Sequence, residues 1–98
     1  QQILTSALRC VKIGGHVVYS TCTFAPEENE MVLDKVMKKR SINAEMIEVP
    51  QELLPPTVRA PLTSFQDWSA STDLSHAIRI IPNDHTTGFF IAVLKRMS

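Results

Sequence analysis

Ile3, Leu4, Ala7, Leu8 and Val11 recur at the three-and-four spacing of an amphipathic helix, which predicts a helix over the first eleven or so residues, closed before Gly14-Gly15. The six residues after the glycines, His16-Val17-Val18-Tyr19-Ser20-Thr21, are β-branched and aromatic without long polar alternation, the pattern of a buried parallel strand. Pro26, Glu27 and Glu28 suit the first turn of a second helix, with φ preset by the proline and negative charge at the positive end of the dipole. Met31, Val32, Val36 and Met37 supply its apolar stripe through about residue 40, and Lys38, Lys39 and Arg40 complement its other end.

Further along, Met46, Ile47 and Val49 predict a strand over about 44–49. From Pro50 to about Ser75 the pattern breaks, with Pro50, Pro55, Pro56 and Pro61 and a Ser/Thr-rich tract around Trp68. This stretch reads as an ordered surface insertion, and connections of that length are often binding segments. Two strand-like runs close the chain, over 77–81 and 88–95. Helix, Gly-Gly turn and strand form the second half of a βαβ unit, hence an α/β fold. Three or four strands are few partners for a buried parallel strand, so a preceding stretch is expected to belong to the same domain.

Composition bounds this picture without sharpening it. The chain has 98 residues, 44% of them hydrophobic and 20% charged, which fits one small domain or part of a larger one. No apolar run approaches the roughly 20 residues needed to cross a bilayer, and Gln1-Gln2-Ile3 has no signal-peptide layout. An intracellular protein is expected, cytoplasmic or nuclear and nucleolar, not secreted. Cys10 and Cys22 are too few for a disulfide scaffold, and no Cys/His set has zinc spacing. The net charge is zero, which neither shows nor excludes nucleic-acid binding.

Cys22 is the candidate for chemistry. It stands where the strand ends and the second helix begins, and in open α/β sheets that carboxyl edge is where ligands bind. A helix N-terminus nearby would favour the thiolate, while Glu27 and Glu28 would oppose it. The competing reading is a small buried hydrophobe, and Cys10 takes that reading outright. Glu27, Glu28 and Asn29 read equally as ordinary first-turn residues. Phe24 could line a pocket or pack in the core, and of Phe89 and Phe90, on alternate faces of a strand, at least one should be core. His16, His76 and His85 share no metal spacing and read as surface or satisfied polar residues.

The segment YSTCTFAPEENE closely resembles the motif of the Sun-domain RNA cytosine-5 methyltransferases, in which Ser-Thr-Cys is followed by Pro-Glu-Glu-Asn-Glu. VKIGGHVVYS resembles the helix, Gly-Gly turn and fifth strand of S-adenosylmethionine-dependent methyltransferases, and AIRIIPNDHTTGFFIAVLKR resembles the closing block of the Sun-domain family. One departure is Asn83, where the family often has His; His85 lies two residues on. The resemblance implies that residues 1–98 are the C-terminal part of a Rossmann-like class I methyltransferase domain, with parallel strands and an antiparallel last strand, carrying an insertion at about 50–75.

It further implies transfer of a methyl group from S-adenosylmethionine to C5 of cytosine in tRNA or rRNA, with Cys22 as the covalent nucleophile and Thr21 and Phe24 beside it toward the substrate. The family's Gly-rich cofactor loop and Asp-Ala-Pro-Cys stretch have no match, so no cofactor-binding residue is expected within the chain. No metal is expected either, and the chain alone should be inactive. Trp68 could stack on RNA or anchor the insertion, and anchoring is the preferred reading. Lys38, Lys39 and Arg40 could meet phosphate, but a solvated helix end accounts for them. Two rivals stand: a hydrolase in which a histidine activates Cys22, and a non-catalytic α/β binding module with an inert cysteine.

Overall fold

Leu4 and Leu8, four positions apart on one face, seat the first helix, α1 (Gln2–Cys10), in the core. The structure is a computed structural model that describes residues 2–23, 25–82 and 88–98. After α1 the chain turns through Gly14 at φ 84°, a left-handed conformation that favours glycine. At Gly15 a Cβ would lie 2.5 Å from Val11 Cγ2 and 2.9 Å from the Lys12 carbonyl oxygen. Gly15→Ala is therefore expected to cost about 1–3 kcal/mol through overpacking, read by urea unfolding. Unchanged stability would mean that the turn opens freely.

Strand β1 (His16–Thr21) follows, then a 3-10 turn at Pro26–Glu28, helix α2 (Glu30–Met37) and strand β2 (Ala44–Ile47). A second 3-10 turn (Gln51–Leu53) leads into short strands β3 (Val58–Arg59), β4 (Ser64–Phe65), β5 (Trp68–Ser69) and β6 (Ile78–Ile80), and the long β7 (Phe89–Arg96) ends the series. β7 is the hub of the sheet. β1 pairs along one of its edges, from His16 opposite Lys95 to Thr21 opposite Phe90. β2 and β6 share the other edge, with Ala44 opposite Arg96 and Ile80 opposite Phe89. All three ladders are antiparallel, so β1, β2 and β6 run one way and β7 runs against them. β3 extends the sheet beyond β6, and β4 with β5 forms a separate hairpin.

Alternation along β7 sorts the two faces. Phe90, Ala92 and Leu94 are buried against Leu4, Leu8, Leu33 and Val36, so both helices cover the same side of the sheet. The other side carries Val18, opposite Val93, and Phe89; these two are 63% and 40% exposed. Arg96 ties the end of β7 back to α1: its guanidinium donates to the carbonyls of Arg9 (3.0 Å) and Val11 (2.7 Å), where a cation complements the helix C-terminus. Its backbone bonds to that of Gly14 (2.7 Å) and Gly15 (2.9 Å). Among the described residues no helix is long and apolar enough to cross a membrane.

Several expectations need correction. The strand expected at 16–21 is present, and the last strand is antiparallel, but β1 is not buried: His16, Val18 and Ser20 are exposed. The cause is that the helices cover one face only and that, among the described residues, β1 pairs on one edge. The single helix expected over 26–40 is broken at Asn29, whose φ of −116° and ψ of −98° are not helical, so α2 proper begins at Glu30. Lys38 to Arg40 lie beyond its end. Its buried face is also turned from the expected stripe: Leu33 and Val36 are buried together with Glu30 and Asp34, whereas Met31, Val32 and Met37 are half-buried.

Candidate active site

Thr21 ends β1, and Cys22 follows it as the first residue of the turn toward α2, with its side chain exposed. The reading of the cysteines as buried hydrophobes fails for both. Cys10 lies two residues past Leu8, roughly 200° around the helix, and so faces solvent. Among the described residues no hydrogen bond or ion pair holds the Cys22 thiol. Its position is set by the turn on either side of it.

That turn is tied at several points. The Tyr19 hydroxyl donates to the Glu28 carbonyl at 2.6 Å, and burial, followed by the nearby Glu28 charge, pushes the Tyr19 pKa up, keeping it a donor. The Thr21 hydroxyl donates to Asn29 Oδ1 at 2.5 Å, and Asn29 Nδ2 donates to the Thr23 carbonyl at 2.9 Å. The Ala25 amide donates to Thr23 Oγ1 at 3.2 Å. A carbonyl can only accept, so the contact with Thr23 fixes which end of the Asn29 carboxamide is nitrogen. Asn29 is 0% exposed. Phe24, expected to flank the nucleophile, lies outside the described residues.

Neither of the two described histidines is placed at the Cys22 turn. His16 begins β1 and is about 20 Å away along the strand. His76 borders a groove with Met37, Met46 and Asp73, across β7 from β1. His85 lies outside the described residues, as does the Asn83 departure. Among the described residues no cluster of three or more His, Cys, Asp or Glu side chains could hold a metal.

Behind the turn, α2 carries two buried carboxylates whose role the sequence did not disclose. Glu30 accepts from Arg79 Nε (2.5 Å), Arg79 Nη2 (2.6 Å) and the Leu62 amide (2.8 Å). Asp34, one turn on, accepts from the amides of Ser71 (3.0 Å) and Thr72 (2.9 Å), the Thr72 hydroxyl (2.6 Å) and Trp68 Nε1 (3.3 Å). These two acids strap the proline-rich insertion onto α2, and Trp68 serves as an anchor. The available signal was the i, i+4 pair of acids inside an apolar frame, facing a Ser/Thr-rich tract of donors.

Burial opposes ionisation of Asp34, but hydrogen bonds from Thr72, Ser71 and Trp68 outweigh it and hold the carboxyl below its ordinary 3.8. A lowered folded-state pKa contributes stability above the unfolded value, and that contribution is lost as pH falls through the folded one. Asp34→Asn is expected to cost about 1–3 kcal/mol at pH 7. Unfolding midpoints measured against pH should show the gap to the parent narrowing below about 3.8. A gap that stays constant into acid would remove the charge from the explanation.

The profile of the family described as 16S rRNA methyltransferase RsmB/F matches residues 1–95. The chain belongs to the RsmB/F methyltransferase family. Over 97 residues it is 31% identical to the tRNA (cytosine(49)-C(5))-methyltransferase of Pyrococcus abyssi, an alignment covering 98% of this chain and 30% of that enzyme. It is 35% identical over 103 aligned positions to the human 28S rRNA (cytosine(4447)-C(5))-methyltransferase, covering all of this chain and 12% of that protein. A crystal structure of a methyltransferase homolog from Pyrococcus horikoshii matches it with a TM-score of 0.79 at 31% identity, over 98% of this chain and 29% of that one. This RsmB/F-family chain thus spans less than a third of the length of these relatives, and its mainly antiparallel α/β sheet is part of a Rossmann-like methyltransferase fold. Membership of a methyltransferase family implies a methyl donor.

Proposed function

We propose that the protein transfers a methyl group from S-adenosylmethionine to C5 of cytosine in tRNA or rRNA, with Cys22 as the covalent nucleophile. The observation that carries this reading is the exposed Cys22 at the carboxyl end of β1, in a Thr21-Cys22 and Pro26-Glu27-Glu28-Asn29-Glu30 segment of a chain from this family.

Cytosine C5 is a weak nucleophile, and the cysteine remedies this. The thiolate forms a bond from Sγ to C6, and the electron pair of the C5–C6 double bond moves to C5, which then takes the methyl group. Removal of the C5 proton by a base returns that electron pair, restores the double bond and expels the thiolate. The target base must leave its stack to be reached, which favours single-stranded or extruded nucleotides. Thr21, which precedes Cys22, and Phe24, two residues on in the sequence, are the proposed substrate-binding residues. The Thr21 hydroxyl proton is engaged by Asn29, so Thr21 offers the base its lone pairs and methyl group.

S-adenosylmethionine would supply the electrophilic methyl group, its S–CH3 bond breaking to leave a neutral thioether, but the described residues of this chain do not fit a site for it. Its glycines are Gly14, Gly15 and Gly88; the first two lie between α1 and β1 and the third immediately precedes β7, so none forms a Gly-rich loop leading from a strand into a helix. The named relatives include enzymes for both tRNA and rRNA. The test is to incubate the full-length protein with labelled donor and transcripts of each class, then digest to nucleosides. Labelled 5-methylcytidine is expected, and label on any other nucleoside would sink the reading.

A further inference from the structure

We infer that Asn29 is a positioning residue for the Cys22 thiol, an inference that rests on Cys22 being the nucleophile. Asn29 occupies the N-cap position of α2, where an asparagine side chain ordinarily accepts a bond from the first-turn amides. Here it makes no such bond. Its carboxamide turns back to the residues that flank Cys22, accepting from the Thr21 hydroxyl on one side and donating to the Thr23 carbonyl on the other. One planar group thereby spans the cysteine, tying the Thr21 side chain before it to the Thr23 backbone after it.

Three observations separate this arrangement from ordinary packing. The thiol is exposed and makes no described hydrogen bond, so its direction is inherited from Thr21 and Thr23. Asn29 is 0% exposed, so its two bonds face little competition from water. Its backbone departs from helical geometry between the 3-10 turn and α2, which lets the side chain reach back to β1. Attack on C6 requires the sulfur at near-contact distance and on line, and a small misplacement is costly.

The test uses the full-length protein with S-adenosylmethionine and RNA, together with RNA carrying 5-fluorocytosine, in which the missing C5 proton blocks elimination and traps the adduct. Asn29→Ala is expected to lower kcat and the trapping rate by about 10- to 100-fold, with RNA KM and donor affinity close to the parent and a thermal midpoint lowered only as far as two lost buried hydrogen bonds account for. Alkylation of Cys22 by iodoacetamide, a small reagent that needs no alignment, should keep its rate and pH profile. Asn29→Asp keeps the acceptor for Thr21 and loses the donor for Thr23, so it should not restore the rate. Thr21→Val should lower kcat about 10-fold, and Thr21→Ser, which keeps the hydroxyl bonded to Asn29, should regain kcat, its lost methyl contact with the base being read in RNA KM.

An active, trappable Asn29→Ala overturns the assignment. So does a loss of kcat that travels with lost donor affinity and stability, since that is a folding effect. If Asn29→Ala does not fold, equal rates for Thr21→Val and Thr21→Ser overturn the assignment, and recovery by serine alone supports it. Cys22→Ala is run alongside. Activity in that variant overturns the nucleophile reading itself, whereas an inactive Cys22→Ala beside a fully active Asn29→Ala overturns the positioning role alone.

Discussion

Cys22→Ala in the full-length protein is expected to abolish methyl transfer to RNA, by at least about a thousandfold, and to prevent any covalent adduct with RNA containing 5-fluorocytosine. The size follows from the role: without the thiolate nothing adds to C6, and C5 stays too electron-poor to attack the methyl group. Because the side chain is exposed, its removal leaves no core cavity, so lost activity should come with an unchanged unfolding midpoint. Cys10→Ala, on the solvent side of α1, should retain both transfer and trapping. Methylation at a near-parental rate by a folded Cys22→Ala protein would dismiss the covalent route.

The second large effect concerns stability. Glu30→Gln removes the carboxylate charge that Glu30 sets against the buried Arg79 guanidinium, whose central carbon lies 6.0 Å from the centroid of the Phe90 ring. Breaking one side of a buried pair typically costs about 3–5 kcal/mol, because the remaining charge has given up water and loses its strongest counter-charge. The double replacement Glu30→Leu with Arg79→Met should recover much of this, although the Leu62 amide would still lack its acceptor, a residual cost of about 1–3 kcal/mol. Urea unfolding of the single and double variants makes the comparison. A loss under about 1 kcal/mol in Glu30→Gln would show that water reaches the pair.

Elements driven by local pattern were legible in the sequence. The α1 face with Leu4 and Leu8, the Gly14-Gly15 turn and the strands at β1, β2, β6 and β7 follow from periodicity and from the φ that only glycine takes without strain. Burial was less legible, because it depends on what packs against each face. The exposure of β1 comes from the placement of both helices on one side of the sheet, a tertiary fact that hydrophobic composition does not carry.

The candidate site shows the same division. Cys22 could be singled out from its place at a strand end, and the segment around it pointed to a family. Nothing in the sequence marked Glu30 and Asp34 for burial, because a charged side chain is normally exposed, and only their distant partners, Arg79, Leu62 and the 68–72 stretch, make burial tolerable. Asn29 read as a helix-start residue for the same reason: its type suits a cap, and nothing local shows that its amide reaches Thr21 and Thr23.

The hub position of β7 also bears on the order in which this chain can be assembled. β1, β2 and β6 all precede it, and among the described residues β1 and β2 pair with no other strand, while β6 pairs otherwise with β3 alone. During synthesis, therefore, β1 and the Cys22 turn wait without this sheet partner until about seventy further residues have emerged. The contacts that close the sheet span most of the chain, so loop-closure entropy is paid before the pairing that rewards it, which makes for slow folding and a period of exposure to off-pathway strand pairing. A chaperone that shields the free edge of β1 over that interval would act where the chain is most vulnerable.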